Sequence, residues 1–218
     1  MAKQTKTTKS AGSKKGAAVA KRPPAKAAEP APKPRKAAAP KTTPEEDSSM
    51  LEVFALDAIR DIYYAEKQIL KVLPKMIKAS TTQELKDSFG RHIDVTKEQI
   101  VRLEQAFEVL GKRAQGKKCE AIEGIIREAE GIIEDTQKGT MTRDVALIVA
   151  CQKVEHYEIA SYGGIVQIAK TLGQNEVADL LGITLGEEKE ADQILTDIAE
   201  NNINMQAAEE EGGEEVED

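Results

Sequence analysis

The sequence is poor in aromatic residues, with no tryptophan, three phenylalanines and four tyrosines among 218 residues. It has two cysteines, Cys119 and Cys151, and their spacing matches neither a disulfide framework nor a zinc site. No uninterrupted run of about 20 apolar residues occurs, so we expect no membrane-spanning helix. These absences argue against a disulfide-stabilised secreted domain and a membrane protein, and they indicate a soluble, cytoplasmic protein.

Proline is almost absent after the first 44 residues, which hold seven of the eight prolines. Residues 1–44 contain ten lysines, two arginines and one glutamate, a net charge of +11, so residues 45–218 carry −18 for the whole chain to reach −7. This arm has no aromatic residue and lacks the apolar run of a secretory signal. We therefore expect residues 1–47 to be a disordered basic arm.

The other end of the chain lacks basic residues. The last ten residues read EEEGGEEVED and include seven acids, so they repel one another and favour a solvated conformation. We expect residues 203–218 to form a disordered acidic tail.

Strand signals are also missing, because no sustained alternation of apolar and polar residues occurs between these tails. Apolar residues instead recur at helical spacing. This periodicity predicts four long helices and one shorter helix. The long helices are expected at about 50–78, 82–110, 142–172 and 175–200, and the shorter one near 118–134.

Capping signals support these boundaries. Ser49 followed by Glu52, and Thr81 followed by Glu84, predict capping boxes at the first two long helices. Glycines at 111 and 173 predict helix ends, and Asn175 is the expected N-cap of the last helix.

The connection lengths predict the topology. Only a few residues separate the two members of each pair of long helices, so each pair should form an antiparallel hairpin. A connection of roughly thirty residues, which contains the shorter helix, joins the hairpins. The pattern predicts an all-α fold, a ferritin-like four-helix bundle with a short fifth helix in the crossover, over residues 48–202.

Each long helix carries an acid or a histidine in the middle of its apolar stripe. These residues are Glu66 on the first helix, His92 on the second, Glu155 and Glu158 on the next, and Glu188 on the last. Reflecting each hairpin through its turn brings all of them to one level of the core. Four carboxylates cannot remain ionised together in a low dielectric without cations. The pattern therefore predicts a dinuclear metal site.

The sequence leaves open the ligand from the last helix and the role of His92. Glu187 and Asp192 lie close to Glu188 in helical angle, so any of the three could be the ligand from the last helix. A single buried histidine such as His92 is more often a structural residue, and only the coincidence of four helices favours a metal ligand.

Other charged and aromatic residues favour structural roles. Each tyrosine lies within about a turn of a predicted ligand, and we expect hydrogen bonds to carboxylates rather than a redox role; these are Tyr63, Tyr64, Tyr157 and Tyr162. Acids off the isoleucine face of the short helix are expected to be solvated, namely Glu120, Glu123, Glu128 and Glu130.

Four segments of the predicted bundle carry a family resemblance: AEKQIL, FGRHIDVTKEQIVRLEQAFEVLG, GKKCEAIEG and QKVEHYEIASYG. They resemble the YciE/YciF-like ferritin-like proteins of bacteria. The likeness covers about residues 50–202 and excludes both tails. It implies a ferritin-like bundle with a di-iron-type centre, a homodimer and a link to stress conditions.

The sequence departs from the wider ferritin-like pattern, in which a Glu-x-x-His motif on each of two helices joins a Glu on each of the other two. His92 is preceded by Phe89 rather than a glutamate, and Glu155 is followed by Glu158 where a histidine would stand. A ligand set rich in carboxylate favours iron, or manganese, over copper and zinc.

The leading functional hypothesis is a protein with two iron ions that reacts with oxygen or peroxide, as an oxidase, peroxidase or ferroxidase-like enzyme. The alternative is a nucleoid-associated protein in which residues 1–44 bind DNA and the bundle is a dimerisation body. An arm without aromatic residues would bind phosphates by charge alone. A third hypothesis, a metal-free structural bundle, requires the carboxylates to be protonated or exposed.

Overall fold

The structure, a computed structural model, describes residues 48–210, and this range contains helices and no strands. The helices are α1 (Met50–Ala79), α2 (Gln83–Val109), α3 (Glu120–Asp135), α4 (Met141–Thr171) and α5 (Asn175–Ile198). A π-helical segment, Ala199–Ile203, follows α5 and leads into α6 (Asn204–Glu209). None of the helices in this range has the length and apolar character needed to cross a bilayer. The predictions for residues 1–47 and 211–218 lie outside the described residues.

The four long helices form the predicted bundle. The pairs α1 and α2, and α4 and α5, are hairpins, with α2 packed against α5 and α1 against α4. Helix α3 packs against α1 and α4 within the crossover connection. The predicted all-α bundle of two hairpins with a short crossover helix is confirmed.

The predicted apolar stripes form the core of this bundle. The buried residues on α1 and α2 include Ile59, Ile62, Ile69, Leu73, Met76, Leu85, Phe89, Leu103 and Phe107. Those on α4 and α5 include Ile148, Tyr162, Ile165, Leu181, Leu195 and Ile198. The helical spacing therefore identified the inward face of each long helix.

Three predicted boundary signals are confirmed, at Ser49, Gly111 and Gly173. Ser49 Oγ accepts a hydrogen bond from the Glu52 amide at 3.2 Å, and the Glu52 carboxylate accepts one from the Ser49 amide at 2.5 Å. Gly111 and Gly173 have φ angles of 63° and 71°, in the left-handed region that favours glycine at a helix end.

Two predicted caps are wrong by one residue. The N-cap of α2 is Thr82 rather than Thr81, because it is Thr82 Oγ1 that accepts a hydrogen bond from a first-turn amide, that of Leu85, at 3.4 Å. The N-cap of α5 is Gln174, which makes no side-chain capping bond. The Gln174 amide donates to the Ala169 carbonyl at 2.9 Å to close the end of α4, so the next residue, Asn175, is already helical.

The last helix continues beyond its predicted end near residue 200. Ile203 in the π-helical segment is buried, which holds this part of the chain against the bundle. Glu210 then accepts hydrogen bonds from the amides of Met141 and Thr142 at 2.5 and 2.9 Å, at the first turn of α4. Residues 203–209 are therefore helical, which the acidic composition of the tail did not predict.

A buried aspartate joins the two hairpins. Asp144 on α4 is fully buried and accepts hydrogen bonds from the amides of Thr81 and Thr82 at 2.7 and 2.8 Å, and from the Thr82 hydroxyl at 2.8 Å. Charge-assisted bonds of this kind are stronger than neutral ones. Asp144 therefore fixes the position of the α1–α2 turn against the start of α4.

We predict that Asp144→Ala lowers the free energy of unfolding by about 2–4 kcal/mol, because two amides and a hydroxyl lose their acceptor. Urea denaturation followed by circular dichroism measures the change. Asp179→Ala, which removes an exposed carboxylate from α5, is the matched control and should change the stability little. Equal losses in the two variants would contradict the role given to Asp144.

Candidate metal centre

All five predicted ligands lie in the core of the bundle. Glu66, Glu155 and Glu188 are 0% exposed, Glu158 is 1% exposed and His92 is 8% exposed. They come from α1, α2, α4 and α5, as the helical periodicity predicted.

Four of these residues converge at one point. His92, Glu155, Glu158 and Glu188 each place one potential ligand atom within 4.8 Å of the others. Within this group, His92 Nε2 lies 3.5 Å from Glu155 Oε1. Because bonds from metal ions to nitrogen and oxygen are about 2.0–2.2 Å long, donor atoms on one ion lie within roughly 4 Å of each other. Small side-chain movements would therefore bring these four atoms to the spacing of a metal site.

Glu66 stands apart from this four-residue group. Its carboxylate accepts a hydrogen bond from the Tyr162 hydroxyl. Burial raises the pKa of Glu66 well above its usual value, and the charge of Glu188 raises it further. Glu66 therefore lies near enough to the group to interact with Glu188 electrostatically.

The five residues contain buried atoms that lack hydrogen-bond partners. These atoms are Glu66 Oε2, His92 Nε2, Glu155 Oε2, Glu158 Oε1 and Glu188 Oε2. A buried polar atom without a partner costs roughly 1–3 kcal/mol, so such atoms are rare in stable cores. Each predicted ligand thus has one nitrogen or oxygen atom that makes no hydrogen bond and is free to bind a metal ion. We call these five residues, Glu66, His92, Glu155, Glu158 and Glu188, the cluster.

The pKa shifts have one main physical cause, which is burial. Burial raises the pKa of Glu155 and of Glu158 well above 4.5, and the nearby charge of Glu188 adds to both shifts. Burial also raises the pKa of Glu188 to about 7 and lowers that of His92 to about 4. His92 is therefore a neutral imidazole at neutral pH, with a ring nitrogen available to a metal.

The structure distinguishes among the three acids of α5. Gln99 on α2 donates to Glu188 Oε1 at 2.5 Å and so fixes this carboxylate within the cluster. Glu187 accepts two hydrogen bonds from Arg102, at 2.6 and 2.5 Å, and only a longer one from Gln99, at 3.3 Å. Asp192 lies 3.3 Å from the exposed ring of His156. Of the three acids, Glu188 is the one that faces the cluster.

A cysteine outside the predicted ligand set also contacts the cluster. The buried thiol of Cys151 donates to Glu155 Oε1 at 3.2 Å. Burial raises the pKa of this thiol well above its usual value, so the thiol stays protonated. The available signal was its position on the α4 stripe, one turn before Glu155.

Of the four tyrosines, one donates to a predicted ligand, two donate to other carboxylates and one contacts a cysteine. Tyr162 donates to Glu66, as the sequence suggested. Tyr63 donates to Glu104 at 2.6 Å and Tyr64 donates to Glu123, neither of which is a predicted ligand. The half-buried Glu123 is thus not simply a solvated surface residue. Tyr157 contacts Cys119 Sγ at 3.1 Å rather than a carboxylate.

We predict that the metal-free protein becomes less stable as the pH rises from about 5 to 8. Four buried carboxyl groups have folded-state pKa values above the usual 4.5, so the folded protein binds more protons than the unfolded chain in this window. His92, with a pKa of about 4 when folded and 6.5 when unfolded, adds stability with rising pH up to about 6.5. One histidine opposes four carboxyl groups, so the net slope is negative.

Thermal melts of chelator-treated protein at pH 6 and pH 8 test the predicted fall in stability. The Glu158→Gln variant should have a higher melting temperature than the unaltered protein at pH 8 and should bind metal more weakly. Glu134→Gln, at an exposed position on α3, is the control and should change neither. A melting temperature of the metal-free protein that rises from pH 6 to pH 8 would contradict the electrostatic account of the cluster.

Comparison with known proteins places this chain in a family. The chain is 44% identical over 158 residues to Protein YciF of Escherichia coli strain K12, a match that covers 72% of this chain and 95% of YciF. The crystal structure of the E. coli stress protein YciF matches with a TM-score of 0.68 and 43% identity, over 72% of this chain and 99% of that one.

A second solved structure, YcfI from Rhodopseudomonas palustris, matches with a TM-score of 0.65 and 41% identity. This match covers 70% of this chain and 96% of YcfI. The family described as Domain of unknown function (DUF892) matches residues 49–208, which include every helix of the bundle and all five residues of the cluster. The chain therefore belongs to the DUF892 family.

Proposed function

We propose that the buried cluster binds two iron ions and that the protein oxidises Fe(II) with oxygen or peroxide. The supporting observation is the convergence of His92, Glu155, Glu158 and Glu188 within 4.8 Å, all of them buried. Several carboxylates in one core destabilise a bundle that has only a structural role, because burial and mutual repulsion both oppose ionisation. Cations bound at the cluster would offset both terms.

The donor set supports the choice of metal. The cluster offers four carboxylates, including Glu66, and one neutral imidazole from His92. Hard oxygen ligands suit iron and manganese, whereas copper and zinc are favoured by sites richer in imidazole or thiolate. The nearest thiol, that of Cys151, stays protonated and is a hydrogen-bond donor to Glu155. We therefore assign iron, with manganese as the alternative.

The surrounding residues orient the ligands. Gln99 holds one oxygen of Glu188 at 2.5 Å, Tyr162 donates to Glu66, and Cys151 donates to Glu155. Each donor leaves the second oxygen of its carboxylate without a partner, and thus available to an ion. Hydrogen bonds from neighbouring groups of this kind fix the geometry of metal ligands. Bound iron would supply the electrons that reduce oxygen or peroxide.

The similarity to the E. coli stress protein YciF supports a role under stress. Oxidation of Fe(II) by peroxide removes two reactive species at once, and so provides a chemical basis for such a role. The proposal for this chain is protection against iron and peroxide.

We predict that full-length protein purified without chelators contains about two iron or manganese ions per chain. When Fe(II)-loaded protein is mixed with oxygen or peroxide, absorbance in the near ultraviolet should rise faster than in buffer with the same Fe(II). Less than about one transition-metal ion per chain would contradict the metal centre. A normal metal content with no rate above buffer would contradict the oxidation chemistry alone.

A second candidate function rests on the charge contrast within the chain. Residues 1–44 carry +11 and residues 45–218 carry −18, so the arm can bind phosphates while the rest of the chain is repelled by them. We propose that the arm binds DNA without sequence selectivity. In the homodimer that the family resemblance implies, two arms would act together, with the bundle as the dimerisation body.

Removal of residues 1–44 should abolish DNA binding and leave metal content, helicity and dimerisation unchanged. Electrophoretic mobility shifts with DNA of unrelated sequences test the first part, and the affinity of the full-length protein should fall steeply with salt as counterions are released. Light scattering and metal analysis test the second part. Failure of the full-length protein to shift DNA at low salt would contradict this function, and sequence-selective binding would contradict its mechanism.

A further inference from the structure

A cavity of about 230 Å³ lies beside the cluster, between α2, α4 and α5. Its lining includes His92 and Glu155 of the cluster and also the exposed residues Arg91 and Glu190. We call it the α2–α5 pocket. Since its lining joins exposed residues to buried ones, it offers a route from the surface to the cluster.

Apolar side chains form much of the wall of the α2–α5 pocket. Phe89 and Val95 contribute from α2, and Ala191, Ile194 and Leu195 contribute from α5. The three α5 residues are spaced so that they share one helical face, which is the face one turn beyond Glu188. An apolar wall of this kind favours ligands that lose little hydration on entry.

The size of the pocket indicates more than a diatomic ligand. An engineered protein cavity of roughly 150 Å³ with an apolar lining binds benzene. The α2–α5 pocket, at about 230 Å³, is larger than that cavity. Oxygen or hydrogen peroxide would fill a small part of it, whereas an organic molecule of about ten non-hydrogen atoms would fill most of it.

The charges around the pocket argue against an organic anion. Three acids line it, Glu155, Glu187 and Glu190, and the single arginine of the lining is Arg91. The pocket shares two residues with the cluster, His92 and Glu155, so its polar end lies where it meets the cluster. The pocket therefore suits an uncharged molecule with an apolar body and one polar end.

We propose that the α2–α5 pocket binds an organic hydroperoxide, with its apolar body against Phe89 and Ile194 and its O–O group toward His92 and Glu155. This assignment rests on the proposed oxidation of Fe(II). Cleavage of the O–O bond takes one electron from each of two Fe(II) ions and one proton from water, and gives two Fe(III) ions, an alcohol and two hydroxide ions. The pocket would select among peroxides by the size and polarity of their organic group.

Binding can be tested in metal-free full-length protein. The probe is 2-phenylpropan-2-ol, the alcohol formed by reduction of cumene hydroperoxide, and isothermal titration calorimetry measures its affinity. We expect saturable binding to one site per chain, weakened at least tenfold by Ala191→Phe, which fills the pocket from α5. Ala121→Phe adds the same volume at an exposed position on α3 and should bind the alcohol like the unaltered protein.

A second variant separates blocking from misfolding. Val95→Phe fills the pocket from the α2 side, and because Val95 is only half-buried, the larger side chain leaves the fully buried core undisturbed. Circular dichroism melts establish that each variant is folded before binding is compared. Loss of binding in both folded variants supports the pocket, whereas unchanged binding in either folded variant overturns it.

Kinetics test the assignment of the oxidant. In iron-loaded protein we compare the rate of Fe(II) oxidation by cumene hydroperoxide with the rate by hydrogen peroxide. The ratio of the first rate to the second should fall at least tenfold in Ala191→Phe and stay unchanged in Ala121→Phe. A ratio unaffected by Ala191→Phe overturns the hydroperoxide assignment.

Different results would contradict the α2–α5 pocket and the proposed oxidation of Fe(II). If the unaltered protein does not bind the alcohol saturably, the pocket inference is wrong, whatever the iron chemistry. If the alcohol binds and Ala191→Phe removes that binding, but iron-loaded protein reacts with no oxidant, the pocket stands and the proposed oxidation is wrong.

Discussion

The burial of four carboxylates at one level of a helical core is the electrostatic constraint on which the arrangement of this bundle depends. Each carboxylate loses its hydration, and the mutual repulsion raises their pKa values further. The protein meets part of this cost with single donors, from Gln99, Tyr162 and Cys151, each directed at a different carboxylate. These donors leave one oxygen of each carboxylate free, which is the arrangement a cation requires and a purely structural core avoids.

Much of the fold and of the cluster could be predicted because helices have a fixed rise and a fixed angular step. The step identified which residues face inward, and the rise placed Glu66 level with His92 in one hairpin and Glu158 level with Glu188 in the other. The choice between Glu187 and Glu188 stayed open, because the contacts that distinguish the two residues come from another helix. Gln99 holds Glu188 in the cluster, and Arg102 holds Glu187 outside it.

The features that the sequence did not predict are contacts between segments distant in the chain. Asp144 resembles an ordinary first-turn acid of α4, and its three bonds to Thr81 and Thr82 exist only once the hairpins have docked. The α2–α5 pocket is likewise a property of the space between helices. Local periodicity reports which face is buried, but it does not report how closely the buried faces approach.

The contact between Glu210 and the first turn of α4 has a practical consequence for the boundaries of this domain. The predicted domain end at residue 202 suggests ending an expression fragment there, but this would remove the buried Ile203 and the carboxylate that accepts from the Met141 and Thr142 amides. Such a fragment would expose an apolar site and leave two main-chain donors of α4 to water. A fragment that ends just after residue 210 keeps both contacts.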